Sequence, residues 1–255
     1  MNKARKSPRK RKINISRLTR ISFLPSVFTM FNLFLGYIAL MMVTRGEFLN
    51  ACYYLIFATV VDSLDGTIAR LTKTESGFGV QLDSLSDAIS FGLVPSVFLY
   101  MWAFKGEIPV SGTIVSFVFL SAGIIRLARF NVYSEAKAFP ANIFIGLPIP
   151  IASLSVVSSY FLLRGHLTSR RIIYYLSAFV IVLAFLMVSN LQYRTVKKFN
   201  SRFNLLILFI TGILIALTIM YRFIMIPILC GLYLVSPLIF LAGRKFKKTP
   251  VPEEE

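Results

Sequence analysis

Eight apolar stretches, near residues 23–43, 48–68, 83–104, 108–125, 144–163, 172–191, 205–221 and 224–242, set the terms for this chain of 255 residues. Each is close to the roughly 20 residues that a helix needs to cross the hydrocarbon core of a bilayer. In that medium the backbone must satisfy its own N–H and C=O groups, which a continuous helix does. Several stretches contain Pro, Gly, Ser or Thr, which membrane helices tolerate when neighbouring helices re-satisfy the backbone. With 56% hydrophobic residues and a mean hydropathy of +0.72, the sequence predicts an all-α integral membrane protein of about eight transmembrane helices. Residues 21–243 form one membrane domain, preceded by a basic arm (1–20) and followed by a short tail (244–255). There is no internal repeat and no soluble domain.

The formal charge of +17 would suit nucleic acid, but the basic residues flank the apolar stretches. Anionic lipid is therefore the expected partner, and nucleic acid is not. Residues 1–20 hold nine Lys or Arg and no acid; they read equally as an arm lying on anionic headgroups or as a plain topology signal. With eight crossings and the N-terminus inside, 22 of the 28 Lys and Arg fall inside and six outside. That asymmetry predicts both termini in the cytoplasm of a multi-pass cell-membrane protein. The loop with Arg164, Arg170 and Arg171 is the weak point of this count. No cleavable signal peptide is expected, because twenty polar residues precede the first apolar stretch. Cys52 and Cys230 have neither metal-ligand nor disulfide spacing. His166, the single histidine, falls in an outside loop and reads as a surface residue.

Against this apolar background stand Asp62, Asp65, Asp83 and Asp87, half of the eight acidic residues that lie outside the C-terminal Glu253–Glu255. An ionised carboxylate at membrane depth is costly, which makes such residues functional by default. Asp62, Asp65 and Ala69 share one face of a helix by their spacing of three and four; Gly79, Asp83 and Asp87 share one face of another. The polar segment RLTKTESG between them can reverse the chain. Two antiparallel helices then aim four carboxylates at a common space, where like charges need cations to join them. Hard oxygen ligands suit Mg²⁺ or Mn²⁺, held near a phosphorylated substrate. The active site then lies on the cytoplasmic side.

The same residues spell Asp62-x2-Asp65-Gly66-x2-Ala69-Arg70-x8-Gly79-x3-Asp83-x3-Asp87, which at all eight fixed positions resembles the motif of the CDP-alcohol phosphatidyltransferases. The resemblance implies a six-helix catalytic core, here with two further C-terminal helices, a homodimer, and two divalent ions. It implies Asp62, Asp65 and Asp83 as metal ligands, with Asp87 near a metal and also the general base. Arg70 would hold phosphate, where a guanidinium fork fits well. Gly66, Ala69 and Gly79 would let CDP-diacylglycerol approach closely.

The fourth apolar stretch ends in Arg126-Leu-Ala-Arg129-Phe-Asn131, and the fifth opens with Gly146-Leu-Pro148-Ile-Pro150. Together they are similar to the integral-membrane branch of that family that makes phosphatidylserine. Transfer from CDP-diacylglycerol to L-serine, with CMP released, is the activity this implies. Bare arginines there would be an ordinary positive flank. A serine site, however, needs a cation for the carboxylate, so Arg129 with Asn131 is expected to orient serine and Arg126 to contribute phosphate or carboxylate binding. The same chemistry with glycerol phosphate, inositol phosphate or choline as acceptor, or with an archaeal ether-lipid donor, stays open. A secondary cation transporter would use the four acids as an ion site but leaves Gly66, Ala69, Arg70 and Gly79 unexplained. Asn32 in the first stretch is expected to bond across to another helix, and Tyr100, Trp102 and Tyr221 to sit at the membrane interface.

Overall fold

The structure, a computed structural model, describes residues 23–72, 77–135, 143–166, 169–194 and 227–234. The basic arm, the tail, Tyr221 and the seventh apolar stretch lie outside the described residues. Six helices follow one another: α1 (Phe23–Thr44), α2 (Phe48–Thr72), α3 (Gly77–Phe104), α4 (Pro109–Glu135), α5 (Ile149–Leu163) and α6 (Arg170–Val188). Residues 227–234, within the eighth stretch, are helical as well. Four of the six, α1, α3, α4 and α6, are long and apolar enough to cross a membrane; the apolar part of α2 (Phe48–Leu64) and α5 are shorter.

Helix ends depart from the ends of the apolar stretches for identifiable reasons. α3 begins six residues before residue 83 and α4 runs ten residues past residue 125, because polar residues outside the hydrocarbon continue a helix without difficulty. The fifth helix starts at Ile149 rather than 144. Pro148 and Pro150 have no N–H to give to a preceding turn, so they suit the first positions of a helix and bar its earlier start. The residues before them instead form a strand, β1 (Ile143–Ile145), paired antiparallel with β2 (Gln192–Arg194) in the register Ile143–Arg194, Phe144–Tyr193 and Ile145–Gln192. Apart from this small ribbon the described residues are helical or in short connections, as expected.

Apolar side chains point both ways, as they must when the surroundings are lipid. Phe91, Phe98, Phe104 and Phe119 are fully buried, whereas Phe117, Tyr175 and Phe185 are largely exposed. With lipid as solvent, helices are held by close packing and interhelical hydrogen bonds rather than by escape from water. Ser86 Oγ donates to Thr29 O (3.2 Å) and Ser90 Oγ to Asn32 O (3.3 Å), fastening α3 to the backbone of α1; Ser96 Oγ donates to Ser116 O (2.7 Å) on α4. Gly36 meets Ser90 so closely that a Cβ there would collide with the serine side chain. The bond at Asn32 is thus to its backbone carbonyl, and its buried side-chain Oδ1, expected to bond across, has no partner. Trp102 is half-buried and packs against Phe98 (5.7 Å) and Tyr160 (5.1 Å).

α3 is not a uniform helix. Ala88–Leu93 and Tyr100–Phe104 wind as π-helical turns, with Val94 N–H bonded to Ile89 O and Lys105 N–H to Tyr100 O, five residues back. Pro95 follows the first wide turn and has no N–H to offer it. Such turns cluster at functional sites, and this one begins directly after Asp87.

The two ends of the bundle differ. Arg170 and Glu107, both exposed, pair at 3.5 Å, which puts the α3–α4 and α5–α6 connections at one end. The Asp62 region of α2, the first turns of α3, the end of α4, the end of α6 and the ribbon gather at the other. There Gly146, at φ +76°, has no room for a side chain: a Cβ would strike the carbonyl oxygen of Met187. Gly146→Ala combines a left-handed strain of about 1–2 kcal/mol with that collision. A thermal midpoint in detergent several degrees below wild type is the expected result; an unchanged midpoint would show that the turn can reopen at little cost.

Candidate active site

α2 brings Asp62 to the acid end of the bundle, and α3 brings Asp83 and Asp87 from its first turns. One carboxylate oxygen from each lies within 4.8 Å of the other two. The spacing of four on α3 and the antiparallel run of α2 produce this meeting, as the sequence pattern requires. α2 is helical through Asp65, Gly66, Ala69 and Arg70, but the side chains of these four lie outside the described residues. Gly79 sits on α3 one turn before Asp83.

Asp87 is the deepest of the three. It is buried, its side chain touches that of Asp62, and its Oδ1 has no hydrogen-bond partner. A buried carboxylate oxygen without a partner is costly unless something positive meets it. A Mg²⁺-sized ion holds its oxygens at about 2.1 Å, hence at most about 4.2 Å from one another. The three oxygens, all within 4.8 Å of one another, lie close to that span. Its residues fit a hard divalent cation.

α4 supplies the balancing charge. Arg126 is 6% exposed, stacks over Phe130 at 5.3 Å, and lies within electrostatic reach of Asp87 and Asp62. Its Nε is buried without a partner. Asn131 reaches α3 itself: its Nδ2 donates to Ser84 Oγ at 2.9 Å, and that hydroxyl faces Asn131 Oδ1 at 3.1 Å. Ser84 stands between Asp83 and Asp87, so the end of α4 is tied to the acid-bearing turns. Arg129 has other partners: its guanidinium donates to the end of α6, at Val188 O (2.7 Å), Ser189 O (2.9 Å), Asn190 Oδ1 (3.2 Å) and Met187 O (3.3 Å). The residue expected to orient serine has both terminal nitrogens occupied here. His166 is exposed, in keeping with a surface residue.

Some neighbours of the site had no signal in the sequence. Tyr233, from the helical segment 227–234, is packed against the core and within electrostatic reach of Arg126. Cys230, one turn earlier, is buried against Ser155 of α5. Only a contact across more than a hundred residues links Tyr233 to the site, and no spacing rule reaches that far.

A bundle with four helices long enough to cross a membrane, and at one end a trio of carboxylates, one buried and two half-buried, beside a buried arginine, defines a helical membrane protein whose acids could hold a cation. The family model described as CDP-alcohol phosphatidyltransferase matches residues 22–188, and the chain belongs to that family. A CDP-diacylglycerol–serine O-phosphatidyltransferase of Helicobacter pylori is 36% identical over 223 residues, covering 84% of this chain and 89% of that protein. An archaetidylserine synthase of Methanothermobacter thermautotrophicus is 34% identical over 193 residues, covering 74% and 77%. A further CDP-diacylglycerol–serine O-phosphatidyltransferase, from Methanocaldococcus jannaschii, is 34% identical over 165 residues, covering 65% and 70%.

Proposed function

We propose that the protein transfers the phosphatidyl group of CDP-diacylglycerol to the hydroxyl of L-serine, giving phosphatidylserine and CMP. The meeting of Asp62, Asp83 and Asp87 within 4.8 Å, beside buried Arg126, carries the reading. The names of the relatives support serine as acceptor. The reaction forms a bond from the serine oxygen to the phosphorus bearing diacylglycerol and breaks the bond from that phosphorus to the oxygen of CMP. Two divalent ions, Mg²⁺ or Mn²⁺, would neutralise charge on the pyrophosphate and on the attacking and leaving oxygens.

The protein's own residues do the rest. Asp62, Asp65 and Asp83 hold the cations, and Asp87, deepest in the cluster, takes the serine hydroxyl proton. Arg70, with Gly66, Ala69 and Gly79, receives the nucleotide and its phosphates. Arg126 supplies the cation for the serine carboxylate and Asn131, through its amide oxygen, an acceptor for the ammonium. The charge asymmetry of the loops supports eight spans with both termini and this site in the cytoplasm, and family membership supports a homodimer.

Purified protein given CDP-diacylglycerol with serine, glycerol phosphate, inositol phosphate or choline in turn, with CMP release as the readout, tests the assignment. Serine is expected to exceed the others by at least tenfold. A different preferred alcohol overturns the acceptor and leaves the transfer chemistry standing; no CMP with any of them overturns both. The archaetidylserine synthase among the relatives favours including an ether-lipid donor in the same panel.

A further inference from the structure

The last turns of α4 send side chains in different directions. Arg126 lies by the acids and Asn131 reaches Ser84, whereas Arg129, between them in sequence, is bonded to the end of α6. The last carbonyls of a helix have no partner within the helix. Arg129 supplies one for Val188 O and Met187 O, continues to Ser189 O and Asn190 Oδ1, and places a positive charge at the negative end of the helix dipole. The turn before α5 closes on the same point: Gly146 N–H donates to Leu191 O (2.8 Å) and Leu147 N–H to Leu186 O (3.0 Å). A Cβ on Gly146 would lie 2.8 Å from Arg129 Nη2. One guanidinium therefore joins the end of α4 to the exit of α6, and the turn into α5 bonds through its backbone to that same exit.

We propose that Arg129 is a positioning residue for phosphatidyl transfer: its four bonds to the end of α6 fix the rotation and depth of α4, and so hold Arg126 and Asn131 against the acid-bearing turns of α3. This rests on the reading that Arg126 and Asn131 face the acceptor. Lysine keeps the charge but offers a single nitrogen, which cannot span the four acceptors that the planar fork reaches. An arginine acting through α4 affects the rate once both substrates are bound. An arginine gripping serine itself affects the Michaelis constant for serine.

The test is a double-mutant cycle of Arg129→Lys and Asn190→Ala, read as kcat per CDP-diacylglycerol-binding site and as the two KM values. Normalising to binding sites removes any loss that comes only from misfolded protein. Arg129→Lys is expected to lower kcat about tenfold and Asn190→Ala two- to threefold, each with the serine KM within twofold of wild type. The double variant should be no slower than Arg129→Lys alone, because both changes break the same junction. A serine KM raised fivefold or more with kcat retained, or effects that multiply, overturns the proposal. If Arg129→Lys does not fold, Asn190→Ala decides: a lowered kcat at constant serine KM supports the junction, and an unchanged kcat overturns it. The cycle uses whichever alcohol the acceptor panel selects, so failure of serine as acceptor and failure of the junction give separate results.

Discussion

Asp83→Asn yields a membrane-inserted, helical protein whose CMP release is down at least about 10³-fold, a loss of roughly 4 kcal/mol of transition-state stabilisation. The reason lies in the shared geometry. Asp83 offers one of three carboxylate oxygens that lie within 4.8 Å of one another. Replacing one by an amide removes a ligand charge where the pyrophosphate needs its counter-charge. Asp83 is only half-buried and follows the α3 spacing as Asn would, so the backbone survives the exchange. Circular dichroism and detergent gel filtration check the fold, and release of labelled CMP at limiting and saturating Mn²⁺ checks the activity. Normal turnover at limiting metal would sink the idea that these acids hold one site together.

Removal of metal separates stability from activity in the same cluster. Two unit charges within 4.8 Å of each other at an effective dielectric of about 20 repel by at least about 3.5 kcal/mol. The wild-type protein without divalent ions therefore carries an internal repulsion, which a bound cation turns into attraction. Saturating Mn²⁺ or Mg²⁺ at a hundred times its Kd adds about 2.7 kcal/mol to stability, so the thermal midpoint in detergent rises by several degrees and falls again on chelation. Asp83→Asn reverses the pattern: without metal its midpoint equals or exceeds that of wild type, and metal no longer moves it. A wild-type midpoint indifferent to saturating metal would refute this account. The inactive variant being the more stable protein without metal is the outcome that sets this site apart from a structural one.

The acid cluster was legible because helix geometry is local: a spacing of four on α3 determines that Asp83 and Asp87 share a face, whatever surrounds them. The six described helices were legible for a similar reason, since length and apolarity follow from the bilayer. What escaped was settled by contacts between distant residues. Arg129 and Arg126 are three apart and carry the same charge, so nothing local distinguishes the one by the acids from the one bonded to α6. The ribbon needs Phe144 to meet Tyr193, and each strand alone has three residues, too few to show an alternating pattern. The fifth apolar stretch opens at 144 while its helix opens at Ile149, because Pro148 and Pro150 mark a boundary to which apolarity is blind.

The wide turn at Ala88–Leu93 gives the acids a dependence that no single side chain carries. Such a turn holds one residue more than α-helical winding requires, and each residue advances a helix by 100°. Winding the same residues as ordinary α-helix would swing Asp83 and Asp87 by about that angle relative to Phe98 and Phe104, which are seated in the interior. The acids would leave Asp62 behind with every residue of their own motif intact. The aim of α3 thus rests on the turn staying wide, and losing one residue within it disturbs that aim less than the same loss elsewhere along the helix.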